Sequence, residues 1–280
     1  AVITNVSPVH LESLGTLEAV REAKGELLES LSEGAGLIFN ADDPHCRVLA
    51  DRFKARGGEV EGFGFGSGAH VSAEALKKLG LRGIRFILRV GNEKGEVLLP
   101  LLGTHNVLNG MAAAAAAHAL GFSLGEIIPG LERSEAPAMR MEVEKLPNGV
   151  YLINDAYNAN PKSVLSALEA LSDLKGEGRA FLVLGDMLEL GAFAEEAHRT
   201  VGHAAANSRK VDYLFTLGDL SAHALSAAAE RGLPPGHLRL CKTHGEAAEL
   251  VLSLVEPGDL VLVKGSRAMG MERVVEELRR

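Results

Sequence analysis

Short apolar runs that end in polar residues, each followed by a segment of helical period, recur along almost the whole 280-residue chain. This alternation leaves few architectures open. It argues for an α/β fold of βαβ units, with helices covering a parallel sheet. Ala1 to Thr4 predicts a short strand. Thr16 to Leu31 predicts a helix that Thr16 can cap, with Leu17, Val20, Leu27, Leu28 and Leu31 on its apolar face. Gly36 to Asn40 predicts a strand, Asp43 to Ala55 a helix, and Glu59 to Phe65 an extended segment. The middle differs. Ile84–Val90 and Gly95–Pro100 flank Gly91-Asn92-Glu93-Lys94, which predicts a hairpin. His105 to Leu120, with the six alanines Ala112 to Ala117, predicts a helix able to approach its neighbours closely.

A second alternation begins near Met139. Strands are expected at Val150–Asn154, Ala180–Leu184, Tyr213–Thr216 and Leu260–Val263. Helices are expected at Pro161–Leu171, Ala192–Ala206, Ser221–Ala229, Gly245–Leu254 and Met271–Leu278. Between the two runs, Arg133-Ser134-Glu135-Ala136-Pro137-Ala138 is polar and proline-bearing, the composition of a linker. Two α/β domains are therefore expected, at 1–137 and 138–280.

Composition narrows the function. The chain carries 29 Lys and Arg against 37 Asp and Glu, a formal charge of −8, so nucleic acid is not an expected partner. Cys46 and Cys241 form neither a disulfide framework nor a zinc spacing, which makes a reducing cytoplasm the default. No apolar run approaches the roughly 18–20 residues of a membrane span. The chain opens at Ala1, without Met and without the basic stretch of a signal peptide. That start is read either as a processed or artificial end, or as a chain beginning partway through a fold.

Glycine-rich and polar segments are the candidates for chemistry. Gly62-Phe63-Gly64-Phe65-Gly66-Ser67-Gly68 is out of register with G-x-G-x-x-G, and its glycines are expected to shape a strand end or turn. The chain contains no Gly-Lys dipeptide, which excludes a self-contained P-loop. Thr4 to His10 follows a strand and precedes a helix, the place where open α/β sheets bind ligands. His10 there is a metal ligand or an ordinary loop histidine, and Lys24 is a functional amine or a solvated helix charge. Asn106 and Asn109 share a helix face and suit either a purine edge or plain capping. Asn154-Asp155-Ala156-Tyr157-Asn158-Ala159-Asn160-Pro161 holds more polar groups than one helix cap needs. Arg140 is an anion ligand or a solvated charge. Lys264-Gly265-Ser266-Arg267 is a carboxylate-binding loop or a solvated basic turn.

Taken together, these segments resemble the Mur ligases, the ATP-dependent amide-bond ligases of peptidoglycan synthesis. The resemblance rests on Ile3-Thr4-Asn5-Val6 through His10-Leu11-Glu12, Ala23-Lys24-Gly25-Glu26, Asn40-Ala41-Asp42-Asp43-Pro44, and Gly103-Thr104-His105-Asn106 with Asn109. It rests further on Asp155 to Pro161, Leu184-Gly185-Asp186-Met187-Leu188-Glu189-Leu190-Gly191, and Lys264-Gly265-Ser266-Arg267 through Met271-Glu272. Within the family, the Asp155–Pro161 and Gly185–Gly191 segments are those of the branch that adds D-Ala-D-Ala.

What this resemblance implies is a partial central ATPase domain followed by a Rossmann-like C-terminal domain. The implied reaction joins D-Ala-D-Ala to UDP-N-acetylmuramoyl-tripeptide through an acyl phosphate, with ATP and Mg2+. Carried over by position, His10 and a carbamylated Lys24 become magnesium ligands. Asn106 and Asn109 become adenine contacts, Arg140 a phosphate contact and Asp155 a ribose contact. Tyr157, Asn158, Asn160, Lys264 and Arg267 fall on the dipeptide side. The family's P-loop, glutamate metal ligand and uridine-nucleotide domain lie upstream of the strand that here holds residue 1. The isolated chain is therefore expected to be inactive, and a monomer is the family default. Two other readings remain open: a related ligase such as folylpolyglutamate or cyanophycin synthetase, which should lack Tyr157-Asn158-Ala159-Asn160-Pro161, and a non-catalytic module on the same fold.

Overall fold

The computed structural model describes residues 1–7, 11–66, 68–207 and 211–280, and it divides into two compact units, 1–135 and 136–280. In the first unit the strands are β1 (Val2–Ile3), β2 (Gly36–Asn40), β3 (Glu59–Phe63), β4 (Val71–Lys78), β5 (Ile84–Val90) and β6 (Glu93–Leu99). The helices are α1 (Leu11–Leu14), α2 (Leu17–Glu29), α3 (Pro44–Ala55), α4 (Thr104–Ala119) and α5 (Leu124–Glu132). The strands lie in sequence order, parallel from β1 to β4 and antiparallel from β4 to β6.

Helices cover both faces of this sheet, and one dipeptide shows why. Successive strand residues point to opposite faces. Leu37 joins Val20, Leu28, Leu49 and Phe53 of α2 and α3, whereas Ile38 joins Val107 and Met111 of α4. Local signals start each helix. Asp43 Oδ1 accepts from the backbone N–H of His45 and Cys46, and Pro44 occupies the first turn, where a missing N–H costs nothing. Thr16 Oγ1 accepts from Ala19 N at 3.1 Å.

The second unit contains β7 (Glu142–Lys145), β8 (Tyr151–Asp155), β9 (Ala180–Gly185), β10 (Tyr213–Leu217), β11 (Leu238–Cys241) and β12 (Leu260–Lys264). Its helices are α6 (Pro161–Leu174), α7 (Ala194–Ala206), α8 (Ala222–Glu230), α9 (His244–Leu254) and α10 (Glu272–Leu278). The strand order is β11-β10-β9-β12-β8-β7, all parallel except β7. Strands β9 and β12 are buried along their whole length, as expected for central parallel strands covered on both faces. Phe181, Val183, Phe215, Val261 and Val263 face the apolar sides of α9 and α10. Their neighbours Leu182, Leu184, Leu214 and Leu262 are equally buried.

Among the described residues, no helix is long and apolar enough to cross a membrane. Both cysteines are free and buried, and burial pushes the Cys46 thiol up to about 12 and that of Cys241 up to about 11, so neither is a reactive thiolate.

Candidate functional site

In the second unit, polar residues gather where the parallel strands end. Ligands of open α/β sheets bind outside those carboxyl ends. Strand β8 ends at Asp155, β12 at Lys264, and β9 runs into Asp186. Lys264 and Asp155 are register partners on neighbouring strands, and Lys264 Nζ donates to Asp155 Oδ2 at 2.6 Å. Nζ also donates to the carbonyl of Asn158 at 2.9 Å. Lys264 is only 2% exposed, and burial pushes its ammonium below the ordinary lysine value against the pull of Asp155. The other oxygen of Asp155 accepts from Met141 N at 3.1 Å.

Arg140 is open to an anion. Its guanidinium lies over the Tyr157 ring, 4.0 Å from the centroid, and both side chains are exposed. Met139 and Met141 on either side of it have φ of 59° and 54°. Residues with side chains adopt that left-handed conformation only at a cost, and such strain clusters at functional sites. The strain is held by Tyr157 N donating to Met139 O, Met139 N to Glu142 Oε2, and Met141 N to Asp155 Oδ1.

The remaining expected residues of this loop divide by their bonding. Asn160 caps α6: its Oδ1 accepts from Ser163 N while its own N–H donates to Ser163 Oγ. Asn158 is exposed, and its Oδ1 accepts from Ala159 N at 2.8 Å. Arg267 is exposed and paired with Glu272 at 2.8 Å.

Two residues not singled out from the sequence organise these loops. Ser266 Oγ accepts from Leu188 N at 2.8 Å and donates to Ala159 O at 3.3 Å. Asp186 accepts from Leu220 N and Ser221 N, and its carbonyl accepts from Ser266 N. Both stand in quoted motifs, so their position after a strand was the available signal. His198, fully buried, steadies the same region: its Nε2 accepts from Met187 N and its Nδ1 faces Ala194 O at 2.7 Å.

In the first unit, Asn106 and Asn109 sit on the first turns of α4. Asn109 Nδ2 donates to Asn106 Oδ1 at 3.1 Å, and Asn106 Nδ2 donates to Leu102 O at 2.7 Å. This leaves the exposed Asn109 with a carbonyl oxygen that accepts no hydrogen bond among the described residues. Lys24 is exposed on α2 and makes no hydrogen bond or ion pair among the described residues. His10 lies outside the described residues. The glycine-rich loop wraps a carboxylate: Phe65 N and Gly66 N donate to Asp42 at 2.6 and 2.9 Å. A Cβ at Gly64 or Gly66 would stand 2.7 Å from that carboxylate, which is why the loop needs glycine there.

Comparison with known proteins sets this geometry in a family. Residues 1–117 match the Mur ligase middle domain, and residues 139–267 match the Mur ligase, glutamate ligase domain. The UDP-N-acetylmuramoyl-tripeptide--D-alanyl-D-alanine ligase of Bacillus subtilis is 34% identical over 99% of this chain. The chain spans 58% of that relative's length. Among solved structures, MurF from Acinetobacter baumannii aligns over the whole chain and 59% of its own, with a TM-score of 0.86 and 29% identity. MurF ligase from Thermotoga maritima in complex with ADP aligns with a TM-score of 0.85 and 25% identity, over 100% of this chain and 61% of its own.

Proposed function

The chain belongs to the Mur ligase family, and we propose that it serves the ATP-dependent joining of D-Ala-D-Ala to a UDP-N-acetylmuramoyl-tripeptide. The observation that carries this reading is the loop from Asp155 to Pro161, anchored on buried Lys264 beside exposed Arg140 and Tyr157. It lies at the carboxyl ends of a parallel sheet, and the relatives named above carry this activity in their names. The relatives favour this reading over a folylpolyglutamate or cyanophycin ligase and over a non-catalytic module.

The chemical problem is that a carboxylate is a poor electrophile. Magnesium-bound ATP supplies the phosphoryl group that turns the tripeptide carboxylate into an acyl phosphate. The dipeptide amine then attacks that carbonyl, and inorganic phosphate leaves. For this chain's own residues, exposure and hydrogen bonding guide the roles. Arg140 meets phosphate oxygens, since its guanidinium is held over Tyr157 and has no carboxylate partner among the described residues. Asn109, with Asn106 fixing its carboxamide, meets the adenine edge. Asp155 meets the ribose while it holds Lys264. Lys264 spends two protons on Asp155 and Asn158, so it shapes the dipeptide loop rather than reaching far from it. Exposed Tyr157, Asn158 and Arg267 contact the dipeptide, and Asn160 sets the start of α6 beneath them. The exposed Lys24 fits reaction of its neutral amine with carbon dioxide, which releases a proton and leaves a carbamate whose oxygens suit a hard cation as an ammonium does not. His10 completes that ligand set in this reading.

Binding is the readout for these 280 residues, which contain no Gly-Lys-Ser/Thr segment to cradle transferred phosphates. Amide NMR during titration with Mg-ADP and, separately, D-Ala-D-Ala tests the proposal. ADP should perturb 103–109 and 139–141, and the dipeptide should perturb 155–160. A chain whose amides move with neither ligand at millimolar concentration sinks the reading. Perturbation by glutamate in place of D-Ala-D-Ala would move the assignment to another ligase of the superfamily.

A further inference from the structure

A second cluster of ligating side chains lies in the first unit, on side chains that the proposed function does not use. Glu61 is on β3, His70 immediately precedes β4, and His118 is in the last turn of α4. One ligand atom from each lies within 4.8 Å of the other two. His118 Nδ1 is 3.3 Å from Glu61 Oε1, and His70 Nε2 is 3.9 Å from the same oxygen. The two imidazole rings face each other at 5.2 Å, tilted by 38°.

The bonding within this cluster is unusual. Glu61 Oε1 and His118 Nδ1 are both buried atoms without a hydrogen bond among the described residues, although they stand 3.3 Å apart. Buried polar atoms are normally satisfied, and each exception calls for an explanation. Two atoms that can each offer an electron pair, 3.3 Å apart and without a hydrogen bond, are what a cation reconciles. Bonds of about 2.0–2.1 Å to tetrahedral zinc place neighbouring ligand atoms about 3.3 Å apart. The His118–Glu61 separation already has that value. His70 Nε2 stands farther out, at 3.9 Å from Glu61 Oε1, and its side chain is nearly half exposed, so its ring has room to move toward the other two.

We propose that Glu61, His70 and His118 form a binding site for a divalent transition-metal ion, zinc above all, with a fourth position open to water. Two imidazoles and a carboxylate select such an ion over magnesium, which prefers oxygen. The backbone prepares the set. His70 N donates to Gly62 O and Gly91 N to His70 O, which fixes the loop beside β3. Gly91 lets the His70 ring approach, since a Cβ there would stand 3.2 Å from it. The ion would tie the sheet to the end of α4.

Zinc titration by calorimetry, with Co2+ absorption as the geometric probe, tests this. One equivalent of Zn2+ should bind, Co2+ should show intense tetrahedral bands, and Zn2+ should raise the melting temperature. H118A, H70A and E61Q should each weaken binding by more than the ~10–100-fold that loss of an orienting partner costs. H203A, in the other unit, should not change it. H70A alters an exposed loop side chain, so it remains informative if E61Q unfolds the chain. Failure of the chain to bind Zn2+, or affinity that survives H70A and H118A together, overturns the site. In that case the cluster is an ordinary Glu–His ion pair.

Discussion

Lys264 Nζ and Asp155 Oδ2 meet at 2.6 Å, on register partners that end two adjacent parallel strands. Both side chains are nearly inaccessible, so neither charge has water to fall back on. Removing one partner leaves the other uncompensated, which typically costs about 3–5 kcal/mol. Asp155→Asn should therefore lower urea-unfolding stability by about that amount. Asp155→Asn combined with Lys264→Met should recover much of it, because no ion then remains buried. Equal loss in the single and double variants would show that the pair is not the source of the stability.

This pair marks the limit of what the sequence discloses. Strands β2 and β5 are legible to the residue and the start of α3 to within one residue, because apolar alternation and the Asp43-Pro44 start are local signals. The Asp155–Lys264 bond is not, since it joins residues 109 positions apart. The Glu61–His70–His118 cluster is hidden for the same reason, its members coming from three separate segments. Helix α5 escapes a sequence reading because Gly125, Pro129 and Gly130 oppose it. It forms because Glu126 reaches back to Ser123 and because Leu124, Ile127 and Leu131 are buried on one face. Strand β4 is obscured by its exposed Glu and Lys and by a bulge at Ala75, where φ is 54°. The hairpin turn is also tighter than its four-residue reading, because Val90 already pairs with Glu93. Short edge strands β7 and β11 carry too few buried residues to stand out.

His198 makes stability pH-dependent. Burial holds its imidazole below the ordinary histidine value, and its two ring nitrogens serve Met187 N and Ala194 O in the neutral form. The unfolded chain therefore takes up a proton that the folded chain refuses. Stability should fall as pH drops below about 6.5, and should level off once the folded-state imidazole also titrates. His198→Phe should remove this part of the pH dependence. It should also cost about 1–3 kcal/mol at pH 7, because Met187 N–H is left unsatisfied. An unchanged slope between pH 5 and 7 in the variant would contradict the assignment.

Asp259 acts in the acid range. Burial by itself would raise its carboxyl, but the Arg179 side chain and the backbone N–H groups of Glu256 and Arg179 more than offset that and hold it low. A lowered folded value means stability that is complete above about pH 4 and lost as pH falls through the folded-state pKa. Asp259→Asn should lower neutral-pH stability by about 2–3 kcal/mol, in line with hydrogen bonds to a charged group. It should also flatten the acid limb of the stability curve. An acid limb identical to that of the parent chain would place the titrating group elsewhere.

Gly218 should tolerate a side chain poorly. Its φ is 118°, and a Cβ would stand 2.3 Å from the Asp186 carboxylate. That carboxylate accepts from Leu220 N and Ser221 N at the entry to α8, while the Asp186 carbonyl holds Ser266 N. Gly232, with φ of 88° and no atom within 4 Å of a built Cβ, carries backbone strain alone. Gly218→Ala should therefore cost about 1–3 kcal/mol more than Gly232→Ala in urea unfolding, the usual scale of overpacking. It should also shift the amide resonances of Leu220, Ser221 and Ser266, which Gly232→Ala leaves in place. Equal costs for the two variants, with those resonances unmoved, would mean that Asp186 yields freely and does not brace the loops at the strand ends.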